Sequence, residues 1–159
     1  MSESEDLLDE IRKTIKGKTL LVGRKIGQEK FDAFSAVLRV EAKPQKYPTG
    51  GNIIPWTTGL LDKFTTGDFD SILLHRFLYK RVKEYIEDPT TVLTEVKRIL
   101  PEGGVLVVNS FLLDDVTKNF RSVDSFFTAE EMQGILGAQD FKKISRIRYG
   151  NVTTFVCEK

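Results

Sequence analysis

Two clusters of basic side chains stand next to residues that commonly line ligand sites. The first, Arg24 and Lys25, lies between two glycines and follows the apolar run TLLV (residues 19–22). The second follows a histidine at the end of the apolar run SILL (residues 71–74). The other residues of these two groups are Gly23, Gly27, His75, Arg76, Lys80 and Arg81. Guanidinium and ammonium groups bind phosphate and carboxylate, so the clusters predict a site for an anionic ligand.

The second cluster also has other interpretations. The segment KRVKEYIED (residues 80–88) spaces Lys and Glu four apart, as on the solvated face of a helix. Phe77, Tyr79 and Tyr85 interleave with the basic residues, as in surfaces that stack the bases of a nucleic-acid strand. An acidic protein partner is a third alternative. His75 could contact a ligand, or it could be a packed or capping residue.

Composition excludes several classes of protein. The chain has 159 residues, with 24 basic and 23 acidic side chains, so its net charge of +1 does not indicate a globally basic nucleic-acid binder. One cysteine and one histidine exclude an intramolecular disulfide and a multi-Cys or multi-His metal site. We expect a cytoplasmic protein, because the acidic amino terminus is unlike a signal peptide and no apolar run is long enough for a membrane span. The oligomeric state is left open.

Short apolar runs alternate with amphipathic segments along the chain. The predicted strands cover residues 19–22, 37–40, 53–54, 69–74, 105–108, 141–149 and 152–157. The predicted helices cover residues 3–16, 29–36, 89–100 and 128–136. This alternation predicts an α/β fold with a mostly parallel sheet, helices on both faces and an antiparallel hairpin at the carboxyl terminus. We expect one domain over residues 1–159, with an amphipathic helix within 1–17 and an irregular, loop-rich segment over 42–68.

Three blocks of the sequence resemble a known family. These are FDSILLHRFLYKRV, EDPTTVLTEVKRILPEGGVLVV and FFTAEEMQGILGAQDFKKI, which together span most of residues 69–159. They resemble the later strands and helices of the class I methyltransferases that use S-adenosylmethionine, and RILPEGGVLVV is the most similar piece. The resemblance implies a Rossmann-like methyltransferase fold. It says little about chemistry, because these blocks are structural.

The family's cofactor loop is only partly matched. TLLVGRKIG resembles the first motif, in which a strand containing an acid leads into Gly-x-Gly-x-Gly, and it places Gly23 and Gly27 on the outer glycines. Lys25 replaces the middle glycine and Leu21 replaces the acid. The resemblance also places Glu41 where an acid binds the ribose hydroxyls. His75 stands at a strand end, where a catalytic or ligand-contacting residue could lie. The predicted cofactor-binding residues are therefore Gly23, Gly27, Glu41 and His75.

The same resemblance makes the first and fourth strands neighbours, so the two basic clusters would meet at the carboxyl edge of the sheet, where open α/β sheets bind ligands. S-adenosylmethionine carries a sulfonium and an ammonium, which several cations at that edge do not suit. We therefore interpret the chain as a methyltransferase-like domain with a degenerate cofactor site. It would bind an anionic ligand, a nucleic acid or a protein partner, with no metal and no assigned catalytic residue. The alternative is an active S-adenosylmethionine-dependent methyltransferase on an unknown substrate.

Overall fold

Seven strands and two α-helices make up the described part of the chain. The computed structural model describes residues 13–23, 36–39, 53–55, 59–79, 88–110, 112–113, 126–149 and 152–159. The strands are β1 (Thr19–Gly23), β2 (Ala36–Arg39), β3 (Ile53–Pro55), β4 (Ser71–His75), β5 (Val105–Asn109), β6 (Lys143–Tyr149) and β7 (Val152–Glu158). The helices are α1 (Pro89–Ile99) and α2 (Ala129–Ala138), with a short 3-10 helix at Leu60–Lys63.

All seven strands form one sheet in the order β3-β2-β1-β4-β5-β7-β6. The pairs from β3 to β5 are parallel, and β7 runs antiparallel to both β5 and β6. The predicted parallel sheet with a closing antiparallel hairpin is therefore confirmed. The hairpin inserts β7 beside β5 and leaves β6 at the edge of the sheet. β1 lies next to β4, as the resemblance implied.

The two described helices pack against one face of the sheet. Alternate residues of the central strands form a single apolar cluster with the buried sides of α1 and α2. The strand members of this cluster are Leu20, Val22, Ile72, Leu74, Leu106, Val108, Phe155 and Cys157. The intervening residues Leu21, Leu73 and Val107 point to the opposite face and are at most 1% exposed, so both faces of the central strands are buried.

Helix ends follow the predicted signals with one difference. Thr128 and Glu131 form the predicted capping box at the start of α2, with Thr128 Oγ1 accepting from the Glu131 N–H at 3.1 Å. Asp88 occupies the N-cap position of α1, but its side chain makes no capping hydrogen bond. Pro89 at the first turn therefore marks the start of α1 without help from a side-chain cap.

Several predicted boundaries are wrong. Residues 15 and 16 are not helical, because the N–H and C=O of Lys16 hydrogen-bond the hydroxyl of Ser71 instead, and Gly17 turns the chain at φ 61°. Ala36 begins β2 rather than ending a helix, and β4 begins at Ser71 rather than Phe69. The Leu60–Lys63 helix was not predicted within the loop-rich segment. Residues 3–12 and 29–35 of the predicted helices lie outside the described residues.

None of the helices in the described ranges is long and apolar enough to cross a membrane.

Candidate functional site

A row of residues crosses the carboxyl edge of the parallel strands. Gly23 of β1 pairs with His75 of β4, His75 pairs with Asn109 of β5, and Asn109 pairs with Thr154 of β7. Residues paired in register project to the same face of a sheet, so the four form one continuous line. Beneath this line, two residues earlier on the parallel strands, Leu21, Leu73 and Val107 form an apolar layer. Polar residues therefore border an apolar layer at the carboxyl edge, which is where open α/β sheets bind ligands.

Gly23 occupies a position that no other residue fits. Its φ is 138°, a conformation that L-residues with a side chain rarely adopt. A Cβ atom built on Gly23 would lie 1.9 Å from the carbonyl oxygen of His75, far inside van der Waals contact. The local backbone therefore explains why glycine stands here. Its contact with a cofactor remains a prediction.

The chain turns sharply after β4. Arg76 has φ 51°, in the left-handed region that is unfavourable for a residue with a long side chain. Its N–H donates to the carbonyl oxygen of Asn109 at 2.5 Å, which ties the turn to the end of β5. Strained backbone of this kind persists only where the surroundings fix it, and it occurs often at binding sites.

His75 is electrically neutral in the folded protein. Its side chain is 7% exposed, and burial lowers its pKa from 6.5 to about 3, with a further contribution from the positive charge of Arg76. The imidazole therefore carries no charge at neutral pH. It can donate or accept one hydrogen bond at each nitrogen, depending on which tautomer is present.

The row contains buried polar atoms without hydrogen-bond partners. Within the described part of the chain, these are His75 Nδ1, Asn109 Nδ2, Ser110 Oγ and Thr154 Oγ1. Ser110 directly follows Asn109 and is 3% exposed. Buried polar groups in folded proteins are almost always hydrogen-bonded, so four unpartnered atoms at the carboxyl ends of β4 and β5 and on the neighbouring β7 require an explanation. We call His75, Asn109, Ser110 and Thr154 the polar row.

An aromatic pair lies beyond the same strand ends. Tyr79, four residues after His75, packs against Phe126 with ring centroids 5.4 Å apart at an interplanar angle of 36°. The Leu113 N–H, beyond the end of β5, donates to the carbonyl oxygen of Phe127 at 2.8 Å. This bond joins the segment after β5 to the segment before α2. Aromatic and polar groups are thus both positioned by the carboxyl ends of β4 and β5.

Three of the predicted site residues are described, and the structure brings all three together. Gly23 and His75 are paired, and Arg76 follows His75. The other predicted site residues lie outside the described residues: Arg24, Lys25, Gly27, Glu41, Lys80 and Arg81. Among the described residues at the carboxyl ends of the parallel strands there is no Asp or Glu. In the same part of the chain, no three His, Cys, Asp or Glu side chains group as metal ligands would.

Three members of the polar row were not predicted from the sequence. Asn109 and Ser110 directly follow the run VLVV, so their position after a buried strand was a usable signal, the same one that identified His75. Thr154 gave no such signal, because it stands inside a strand among other β-branched residues. Only the antiparallel register of β7 on β5 places it beside Asn109.

Known proteins similar to this chain are found among solved structures. No protein-family model matches the sequence, and no curated protein matches it. Among solved structures, an S-adenosylmethionine-dependent methyltransferase from Archaeoglobus fulgidus is similar over 99% of this chain and 95% of its own, with a TM-score of 0.72 and 13% identity. One from Thermotoga maritima is similar over 98% of this chain and 88% of its own, with a TM-score of 0.69 and 16% identity.

A third structure was determined with the cofactor. Human N-acetylserotonin methyltransferase in complex with S-adenosylmethionine is similar over 88% of this chain and 47% of its own, with a TM-score of 0.58 and 14% identity. Identities this low establish the architecture only. The chain therefore has the Rossmann-like fold of the class I methyltransferases, as the sequence resemblance implied.

Proposed function

We propose that this chain is a methyltransferase-fold domain that binds a small anionic ligand at the carboxyl edge of its sheet. The observation that carries the proposal is the pairing of Gly23 with His75, since it joins the starting points of the two basic clusters. Arg24 and Lys25 follow Gly23 in the chain, and Arg76, Lys80 and Arg81 follow His75. Cations that begin at adjacent strand ends attract phosphate or carboxylate.

The residues described at this edge do not suit S-adenosylmethionine well. The cofactor carries a sulfonium and an ammonium, and the acid that the family places before its first glycine is Leu21 here, which is 1% exposed and lies in the apolar layer. The described strand ends supply no other carboxylate. The nearby positive charge of Arg76 also disfavours a cationic ligand. These features support an anion in place of the ordinary cofactor.

The buried polar row favours a small ligand over a macromolecule. The hydrogen-bonding atoms of the polar row are buried, so a nucleic-acid backbone or another protein's surface cannot contact them. A small molecule can pair with such atoms once the strand ends open to admit it. Binding of an oligonucleotide without binding of small phosphates would point to the nucleic-acid alternative.

Calorimetry with inorganic pyrophosphate tests the proposal. Replacing Arg24, Lys25, Arg76 and Arg81 with Ala should weaken pyrophosphate binding about tenfold or more, because charge-assisted contacts are lost. The matched control removes four cations at the opposite edge of the sheet: Lys18, Lys63, Lys142 and Lys143. This control variant should bind pyrophosphate like the parent, apart from a small general effect of net charge. Equal binding by the parent and the carboxyl-edge variant would overturn the proposal.

The second candidate is S-adenosylmethionine-dependent methyl transfer. The fold and the glycine-only backbone at Gly23 favour it. Here Glu41 would bind the ribose hydroxyls, so Glu41→Gln should weaken binding of S-adenosylhomocysteine. If S-adenosylhomocysteine binds more tightly than pyrophosphate and depends on Glu41, the second candidate replaces the first. If it shows no binding at millimolar concentration, the second candidate is excluded.

A further inference from the structure

The polar row is arranged as a hydrogen-bonding surface. His75, Asn109 and Thr154 occupy neighbouring strands in register and project to one face, and Ser110 follows Asn109 directly in the chain. Their exposed fractions are 7%, 2%, 1% and 3% in the order His75, Asn109, Thr154 and Ser110. Each contributes one buried nitrogen or oxygen that has no partner within the described structure. The row therefore combines deep burial with unused hydrogen-bonding capacity.

Such atoms lower the stability of the free protein. A buried donor or acceptor loses its hydrogen bonds to water and gains nothing in return unless a partner is present. Apolar side chains of nearly the same shape are available: Val for Thr154, Ala for Ser110 and Leu for Asn109. Polar residues at all of these positions are therefore poorly explained by folding alone. A ligand that pairs with them would explain their presence.

We propose that the polar row binds the uncharged, hydrogen-bonding part of the same ligand whose anionic part the basic edge attracts. This inference rests on the proposed function. Asn109 Nδ2 only donates, whereas the hydroxyls of Ser110 and Thr154 both donate and accept. The row bears no charge of its own, so it suits carbonyl, ring-nitrogen and amino groups rather than a second phosphate.

The adjacent aromatic pair indicates that this uncharged part is a planar ring. Tyr79 lies four residues after His75 and its ring packs against Phe126, and the residue after Phe126 is hydrogen-bonded to Leu113 of the segment that follows β5. Aromatic side chains stack on flat heterocycles, while a few convergent polar groups fix their orientation. A flat, hydrogen-bonding ring joined to an anionic group describes a nucleoside phosphate. We therefore assign the ligand to that chemical class.

The row is closed to solvent in the free protein. Ligand entry therefore requires the strand ends to open, and the association rate should lie below the usual range for an accessible site. Binding should also protect the amides at the ends of β4 and β5 from hydrogen exchange. Both effects accompany the proposal and can be followed in the same samples.

Affinity measurements with nucleotides test the assignment. The probes are AMP, GMP, CMP and UMP, with ribose 5-phosphate as the matched ligand that lacks a base. The variants are Thr154→Val, Ser110→Ala and Asn109→Leu. The control is Thr153→Val, which makes the same change at a buried threonine on the opposite face of β7. Each sample is also melted without ligand.

At least one nucleotide should bind the parent about tenfold or more tightly than ribose 5-phosphate does. Thr154→Val should remove most of this preference and leave ribose 5-phosphate binding unchanged. Its melting temperature should equal that of the parent or exceed it by about 2 °C. Thr153→Val should retain the preference. If nucleotides bind no better than ribose 5-phosphate, or if the preference survives in all three row variants, the assignment is overturned while anion binding at the edge stands. Failure of every phosphate probe on the parent overturns both proposals.

A lower melting temperature for Thr154→Val would indicate a structural role for the hydroxyl and would also count against the assignment. The Ser110→Ala and Asn109→Leu variants then provide the second measurement, because Asn109 ends β5 and Ser110 directly follows it, so both change the polar row at a different strand from Thr154. Loss of the nucleotide preference in a variant that melts like the parent would sustain the proposal.

Discussion

The two edges of the central sheet differ in whether their polar side chains are hydrogen-bonded within the described structure. At the amino edge of β4, the Ser71 hydroxyl donates to the carbonyl oxygen of Lys16 and accepts from the Lys16 N–H, both at 2.9 Å. Beside it, the Asp70 carboxylate accepts from the Lys18 N–H at 3.0 Å. At the carboxyl edge of the same strand, His75 Nδ1 has no partner among the described residues.

The contrast continues on β5. Its first residue, Val105, donates its N–H to the carbonyl oxygen of Asp70 at 3.1 Å, which closes the amino edge. Its last residue, Asn109, leaves its side-chain amide nitrogen unpaired in the described structure. The amino edge is thus organised for stability, and the carboxyl edge retains polar groups that do not stabilise the free protein. Along β4 and β5, the hydrogen-bonded polar groups therefore lie at the amino edge, and the unpartnered ones of the described residues lie at the carboxyl edge.

The largest expected effect is at Gly23. Gly23→Ala places a methyl group against the carbonyl oxygen of His75 and forces an unfavourable φ, so we expect a loss of about 3 kcal/mol or more of unfolding free energy. Urea denaturation measures it. The control is Gly134→Ala in α2, where nothing lies within 4 Å of the added carbon. Because alanine favours helices, the control should gain about 0.5–1 kcal/mol. Equal stabilities of the two variants would contradict the strained geometry at Gly23.

The next effect is the pH dependence contributed by His75. In the unfolded chain its pKa is 6.5, and in the folded protein it is about 3. Below pH 6.5 the unfolded chain therefore takes up a proton that the folded protein does not, so stability present above pH 6.5 is lost as the pH falls toward 3. At pH 5 the loss relative to neutral pH should be about 2 kcal/mol. Urea unfolding at pH 7.5 and 5.0 measures it, with His75→Gln as the comparison. If His75→Gln loses as much stability as the parent between pH 7.5 and pH 5.0, His75 is not a buried neutral group in the folded protein.

The smallest expected effect compares two serines. Ser71→Ala removes two hydrogen bonds at the amino edge and should cost about 1 kcal/mol. Ser110→Ala removes an unpartnered hydroxyl at the carboxyl edge and should leave stability unchanged or slightly higher. Thermal unfolding of both variants and of the parent measures the two changes in stability. A larger loss at Ser110 than at Ser71 would reverse the distinction between the edges.

Much of the fold was predictable, because its signals are local. The apolar runs at 19–22 and 105–108, the capping box at Thr128 and the proline at 89 each depend on neighbouring residues alone. The errors arose where a distant contact decided the outcome. Lys16 leaves the predicted helix because its backbone bonds to Ser71, which is 55 residues away. No local pattern contains that information.

The candidate site divides in the same way. The sequence alone determined that a glycine and a histidine each directly follow a buried apolar run and that basic residues follow both. It also determined that a leucine stands where the resembling family has an acid. Only the tertiary structure decided that Gly23 and His75 are paired and that Asn109 and Thr154 extend their row across β5 and β7. The physical reason is register. Strand pairing brings distant residues to within a side chain's reach, and it sets which polar atoms find partners during folding and which do not.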